Sequence, residues 1–421
     1  MLTREENQLL CQVGPSSPMG AYLREFWTPA LRAQKLEADG APARVRLFGE
    51  NFVAFRATDG RVGFFDEGCP HRCTSLALAR NEDNALTCIF HGWKIDVSGK
   101  VVDVPSEPPE RRAEFAAKVR VRHYPVREAG TVIWVYLGHQ ESPPPFWNFE
   151  FNSLPASHIL ARVAILHCGW LQGLEGVLDS AHHGILHRSS LSAVTTADRA
   201  DYRWSKAAVP VFEFAPRPYG FREGALRTLG DGTNYARIRE FVFPFYSFIP
   251  TLPINPSYMI CSVPIDDEWS AQWYFHWDAK QPISREFLEL PWVLQGSSGD
   301  LNNFCSDMGG WDNLWRQDRR AMKEGNFSGI PGNFAYEDFV VQEAMGPIVD
   351  RTREYLGSSD VVIIRVRRTL LEAVRRHQRG EKSVGSEQSC NLSRLRGLAI
   401  RYPATTDWRT LDADAPPPPL P

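Results

Sequence analysis

Two short runs, Cys69-Pro70-His71 and Cys88-Ile89-Phe90-His91-Gly92-Trp93, constrain this chain more than any other feature. Each supplies one cysteine and one histidine. Two thiolates and two imidazoles are the ligand set of a [2Fe–2S] centre in which cysteines hold one iron and histidines the other. Exchanging two thiolates for neutral imidazoles lowers the negative charge of the cluster, so it accepts an electron more readily. Structural zinc also takes two of each, but along the chain it pairs cysteine with cysteine and histidine with histidine. Here the order is Cys-His, then Cys-His. Two such loops can grip a diamond-shaped cluster from opposite sides, with His71 and His91 facing solvent or a partner as the electron exit.

The rest of the chain is organised around that centre. Its 421 residues suggest two to three domains. Thr3 and Glu6 are spaced as a capping box for an opening helix, and a second helix follows Pro18. Period-two runs then begin at Arg44–Phe48 and Asn51–Arg56, with turns at Gly49-Glu50 and Asp59-Gly60. Further short strands are expected at Val62–Phe65, Trp93–Asp96 and Thr131–Leu137. Ser142-Pro143-Pro144-Pro145 marks a boundary. Beyond it, strand-like runs (Phe212–Phe214, Ile238–Phe243, Ser257–Pro264, Ala271–His276) mix with helix-like runs (Trp170–Ala181, Trp311–Glu324, Phe339–Tyr355, Val362–Gln378). This pattern predicts an α+β chain in four parts: an N-terminal helical segment, 1–37; an all-β cluster domain, 38–145; an antiparallel sheet with helices on one face, 146–411; and a proline-rich tail, 412–421.

Composition narrows the function. A net charge of −3 favours neither nucleic acid nor an anionic membrane. No apolar run approaches the roughly 20 residues that span a bilayer, and Met1–Asn7 lacks a secretory core. A cytoplasmic location is the expectation. Of eight cysteines only 69, 73 and 88 cluster, interleaved with histidine, so metal binding rather than a disulfide framework is their use.

A second constellation lies between Trp170 and His187. Trp170, Leu171, Leu174, Leu178 and Ala181 recur at helical spacing as a buried face. Glu175, Asp179 and His182 share another stripe. Two histidines plus a distant carboxylate make the facial triad of non-haem Fe(II) oxygenases, which leaves positions open for O₂. Helix geometry favours His183 with His187, an i,i+4 pair; His182 with His187 would be rotated by roughly 140° on a straight helix, unless Gly184 breaks it.

Cys69-Pro70-His71-Arg72 with Cys88-Ile89-Phe90-His91-Gly92-Trp93-Lys94, and Val104-Pro105-Ser106-Glu107 downstream, resembles the Rieske domain of ring-hydroxylating non-haem iron oxygenases. Ile89-Phe90 stands where the family often has Pro-Tyr, and Cys73 where it often has a small residue; Cys73 is expected to be a buried thiol rather than a fifth ligand. The run Gln342 to Glu354 is similar to the phthalate-dioxygenase-like branch of the oxygenase (alpha) subunits.

The resemblance implies roles. Cys69, His71, Cys88 and His91 hold the Rieske cluster. His182 and His187 hold the mononuclear Fe(II), with Asp338 of Tyr336-Glu337-Asp338 as third ligand against the rivals Glu337, Asp318 and Glu343. Asp179 bridges His182 to His91 of a neighbouring subunit, which implies a head-to-tail trimer or stacked hexamer. Glu175 either tunes that bridge or is a solvated helix charge. A separate NADH-dependent flavin/iron–sulfur reductase supplies electrons, since no G-x-G-x-x-G fingerprint occurs here. The branch acts mainly on aromatic acids, sulfonates and aryl ethers. Arg217, Arg222, Arg237 and Arg239 are candidate anchors for such an anion, or simply charged strand faces. The outcome is a dioxygenase, a monooxygenase performing O- or N-demethylation, or, from a different class, a Rieske electron carrier.

Overall fold

The computed structural model describes all residues except 141, 193–209, 252–255, 291–292, 383, 386–389, 414, 416–417 and 421. Asp414, Pro416, Pro417 and Pro421 of the proline-rich tail therefore lie outside the described residues.

Thr3 and Glu6 cap the opening helix Arg4–Cys11 reciprocally, as their spacing requires. Ser17 caps Pro18–Arg24. The chain then builds three small antiparallel sheets. Thr28–Arg32 pairs with Val132–Val135, which pairs with Val126–Ala129; Ala43–Leu47, Glu50–Arg56 and Val62–Asp66 form a meander; four three-residue strands from Arg80–Glu82 to Val101–Asp103 form the last. The helix Pro109–Lys118 was not anticipated.

The two Cys/His runs are the loops of this β region, and they share one backbone design. The Cys69 N–H donates to the Thr74 carbonyl at 2.8 Å while its carbonyl accepts from the Cys73 N–H at 2.9 Å. In the second loop the Cys88 N–H donates to Trp93 and its carbonyl accepts from Gly92, both at 2.9 Å. The fourth residue after each cysteine is left-handed: Gly92 at φ 73° and Cys73 at φ 57°. Glycine suits that conformation, and a Cβ at Gly92 would also strike the Pro105 ring at 2.7 Å. Cys73 adopts it with a side chain, and this turns the thiol outward. Cys73 is exposed, not buried as the sequence reading expected. Replacing Cys73 by glycine should leave the visible cluster spectrum intact and change stability by less than about 1 kcal/mol, because relief of left-handed strain offsets the added chain entropy. Bleaching would make Cys73 a ligand.

The second half is a nine-stranded sheet. Its main order is Ile159–Leu166, Ser270–Trp277, Ser257–Pro264, Tyr246–Phe248, Thr233–Val242, Gly220–Thr228, Val211–Arg217, all antiparallel. Gly397–Pro403, from a region without any recognised motif, is a ninth strand against Thr233–Val242. The helix Trp170–Leu178 packs on Ser257–Pro264 and Ser270–Trp277 and against the helices Phe334–Ala344 and Val361–Gln378. Gly173 permits that closeness, since a Cβ there would overlap Gln272 and Ser262. The observed class is α+β, as expected.

Three helical expectations shift. Trp170–Ala181 ends at Leu178. The run at Phe339–Tyr355 begins earlier, at Phe334, and stops at Ala344, before Gly346-Pro347. Trp311–Glu324 is broken by left-handed Leu314, Trp315 and Arg316. Asp318 caps the short helix that follows, accepting from the Arg320 and Ala321 N–H groups at 2.8 and 2.9 Å.

Candidate active site

The first constellation gathers at the tip of the β region. Cys69 and Cys88 are buried and unbridged. Burial pushes the Cys69 thiol up to about 11, and the adjacent Cys88 thiol adds to this. The His71 and His91 rings lie 4.5 Å apart between centroids, and His71 stacks on Trp93 at 4.7 Å. Two thiols on one side and two half-buried imidazoles on the other suit a two-iron cluster. Its metal charge would reverse the resistance of the thiols to ionisation.

The second constellation is built by a helix that ends early. Trp170–Leu178 stops because Asp179 turns extended (φ −72°, ψ 122°) and its carboxylate takes the Ala181 N–H at 2.6 Å. Glu175, Asp179 and His182 therefore do not share a helical stripe. A single turn of 3₁₀ helix, His182–Gly184, and a short loop then deliver His182 and His187 to one point. His182 Nε2 lies 3.3 Å from Asp338 Oδ1, and His187 Nε2 lies 3.0 Å from the same oxygen. One ligand atom from each of the three falls within 4.8 Å of the others. The outer nitrogens are anchored too. His182 Nδ1 donates to Asp179 Oδ2 at 3.1 Å, and His187 Nδ1 donates to Glu337 Oε2 at 2.8 Å. Ser190 and Ser328 complete the Glu337 carboxylate.

Carboxylates that orient imidazoles whose free nitrogens converge on a third carboxylate are the arrangement a divalent metal demands. These residues fit ferrous iron. The rivals are occupied elsewhere: Asp318 caps its helix, Glu343 accepts from Trp315 Nε1 and the His167 N–H, and Glu337 stands behind His187. Burial and the Arg237 charge hold His183 well below the usual histidine range.

Without metal the site stores a proton. Burial opposes a charged His187, but the Asp338 charge and bonds to Asp338 and Glu337 outweigh it, lifting His187 to about 9. The group is thus protonated below that value and must lose the proton to bind a metal. Loading ferrous ion at about pH 7.5 should release roughly one proton per iron from His187, and the release should vanish as pH rises past the His187 value. An indicator titration checks this; a pH-independent count would contradict it.

A cavity of about 110 Å³ opens beside the triad. That is room for roughly eight to ten water-sized groups. Val177, Ile249, Ile260 and Phe334 give it apolar walls; Arg237, Arg239 and His276 are polar. The four candidate arginines separate. Arg222 pairs with Glu240 at 2.6 Å and binds the Leu411 carbonyl, and Arg217 reaches the Arg409 carbonyl; neither lines the cavity. Arg239 is spent on the end of the 170s helix, donating to the Leu178 and Asp179 carbonyls at 2.8 and 3.1 Å. Arg237 is 4% exposed, and among the described residues no carboxylate pairs with it; its Nε has no partner. The segment Tyr235 to Pro250 is rich in aromatics, which would suit either a pocket wall or the core; its aromatic rings are buried and none lines the cavity, whereas Ile249 and Pro250 at its end do. Glu175 is neither solvated nor turned to His182: Arg351 and Arg367 clamp it at 3.0 and 2.6 Å. Within one chain no hydrogen bond among the described residues joins Asp179 to His91. Sequence reasoning did not single out His276 or the role of Glu337.

Comparison with known proteins gives the family. A Rieske [2Fe–2S] domain model matches 26–125, and a LigXa C-terminal-domain-like model matches 135–416. The chain belongs to the Rieske non-haem iron ring-hydroxylating oxygenases. The phthalate 4,5-dioxygenase oxygenase subunit of Pseudomonas putida is 38% identical, covering 98% of this chain and 95% of that protein. The 3-chlorobenzoate-3,4-dioxygenase oxygenase subunit of Comamonas testosteroni is 34% identical over 97% and 98%. The terminal oxygenase of carbazole 1,9a-dioxygenase from Nocardioides aromaticivorans shares the fold, with a TM-score of 0.59 at 18% identity over 85% of this chain and 97% of that one. This Rieske oxygenase is an oxidoreductase with a [2Fe–2S] cluster and a mononuclear iron. Among the described residues no helix is long and apolar enough to cross a membrane.

Proposed function

We propose that the chain is the terminal oxygenase of a system that oxidises a small aromatic acid with O₂, using electrons from a separate NADH-dependent flavin/iron–sulfur reductase in the cytoplasm. Cys69, His71, Cys88 and His91 hold the cluster of the 38–145 domain; His182, His187 and Asp338 hold the iron of the 146–411 domain. Bound iron supplies oxygen activation, and the cluster supplies electrons. Asp179 and Glu337 fix the two imidazoles, and the apolar wall keeps water from the reacting ring. A head-to-tail trimer or stacked hexamer brings His91 of one subunit to Asp179 of the next.

One observation carries the substrate class. A buried guanidinium that no carboxylate pairs among the described residues, in the cavity of the iron ligands, is costly unless an anion enters with the substrate; the buried Glu223 that feels its charge is paired instead with Arg239 at 3.5 Å. Arg237 fits that description. The aromatic acids named in the two relatives support the same reading.

Arg237→Met should raise the dissociation constant for benzoate or phthalate by about 30- to 300-fold, the loss expected when a charged hydrogen-bonded pair is truncated. Turnover of the reconstituted system with labelled O₂ then distinguishes two inserted atoms from one. Tight acid binding retained by Arg237→Met would overturn the acid reading.

A further inference from the structure

We propose that His276 is a second polar anchor of the substrate cavity, and that the substrate carries a neutral hydrogen-bonding oxygen, of the phenolic hydroxyl class, at the end of the ring away from its acid group. The proposal deepens the aromatic-acid reading and rests on it.

His276 lies on the strand Ser270–Trp277 and is 3% exposed. Among the described residues neither ring nitrogen has a hydrogen-bond partner. Its ring is fixed: it stacks on Tyr258 at 4.2 Å with an interplanar angle of 7°, and Phe287 meets it edge-on at 5.1 Å. Buried polar atoms are almost always paired, so two unpaired nitrogens on one immobilised ring call for an explanation. The ring lines the cavity that also holds His182, His187, Asp338 and Arg237. A ligand in that cavity is the partner at hand.

The chemistry of the ring selects the partner. Burial, reinforced by the Arg162 charge, holds His276 well below the ordinary histidine range. The neutral imidazole offers one donor and one acceptor. A hydroxyl pairs with whichever nitrogen faces the cavity, since it both donates and accepts. A carboxylate only accepts, and so pairs only with the nitrogen that carries the proton.

Position follows from register. Arg237 pairs with Ala399, the neighbouring Leu398 pairs with Thr251, the Ile249 N–H binds the Tyr258 carbonyl, and Tyr258 pairs with His276. Four strand spacings separate Arg237 from His276, roughly 19 Å along the curved sheet. Both side chains line the same cavity. A ring held between them presents its acid to one and a meta or para substituent to the other.

Anaerobic calorimetry on the fully metallated oxygenase tests this with benzoate, 3- and 4-hydroxybenzoate, 4-methylbenzoate and terephthalate. One hydroxybenzoate should bind the wild type about tenfold more tightly than 4-methylbenzoate, its apolar counterpart. His276→Phe should bring that ratio within twofold, and His276→Gln, which keeps a donor and an acceptor, should restore part of it. Arg237→Met should weaken every acid alike. Where His276→Phe loses the visible cluster spectrum, His276→Leu replaces it. A wild-type ratio near one, or a ratio His276→Phe leaves unchanged, overturns the role of His276 while the acid reading stands. A His276-dependent preference for terephthalate over both hydroxybenzoates overturns the neutral-oxygen assignment. Failure of the wild type to bind any acid, or an Arg237→Met variant that binds them all normally, overturns the underlying reading.

Discussion

Asp338→Ala will keep the visible iron–sulfur absorption yet hold less than about a tenth of the mononuclear iron, with turnover lower by roughly 10³-fold. The argument is geometric. Both His182 Nε2 and His187 Nε2 approach Asp338 Oδ1, at 3.3 and 3.0 Å. Burial raises the Asp338 carboxyl, but the His187 charge and the bonds from both imidazoles outweigh it and hold it well below the usual range, so it is ionised and ready to bind a cation. Two neutral imidazoles alone provide neither the third ligand nor the charge. The cluster survives because its loops belong to a separate sheet system with its own core. Glu337→Gln is the control: it leaves all three ligands but loosens His187, so iron affinity should fall only about 10- to 100-fold. Iron analysis beside the optical spectrum decides. Full iron in Asp338→Ala would move the third ligand to Glu337.

The sequence made the cluster loops legible because ligand type and spacing are local, and each loop closes on its own cysteine within five residues. It could not choose between His182 and His183 by periodicity. That argument extends a straight helix through residue 187, whereas the helix ends where the Asp179 side chain captures the Ala181 N–H. A helix-breaking Asp two residues before a backbone amide is a signal that could have been weighed. Asp338 came from resemblance alone; its partners are about 150 residues away. Cys73 was misjudged because clustering with ligands said nothing of its left-handed backbone. The strand Gly397–Pro403 is fixed by pairing with Thr233–Val242, a contact no local pattern carries. Arg222 and Arg237 look alike on paper; only the sheet shows that one meets Glu240 and the other the cavity.

Asp179→Asn will keep both metals but slow reduction of the iron site by about 100-fold, the scale of losing a carboxylate that orients a metal-bound imidazole. Asp179 is well placed to serve two imidazoles. Its Oδ2 receives His182 Nδ1, Arg239 pins its carbonyl, and its side chain is still 25% exposed, so an outside group can reach it. Although burial raises it, the bond and charge of His182 hold the Asp179 carboxyl below its ordinary value, so it accepts as an anion near neutral pH. On the cluster side the buried His91 Nδ1, unpaired among the described residues, is the nitrogen that would face the cluster, which leaves Nε2 to donate outward. An outward imidazole N–H and a partly open carboxylate on the same chain are complementary halves of a head-to-tail contact. Rapid mixing with chemically reduced cluster measures the rate directly. A mixing experiment tests the route. Cys69→Ser lacks the cluster and Asp338→Ala lacks the iron, so each alone is inactive. Co-assembled in equal amounts, about a quarter of the contacts in a head-to-tail ring join an intact cluster to an intact iron site, and about a quarter of wild-type activity should return. No recovery in proven mixed rings would confine electron flow to one chain and remove Asp179 from the path.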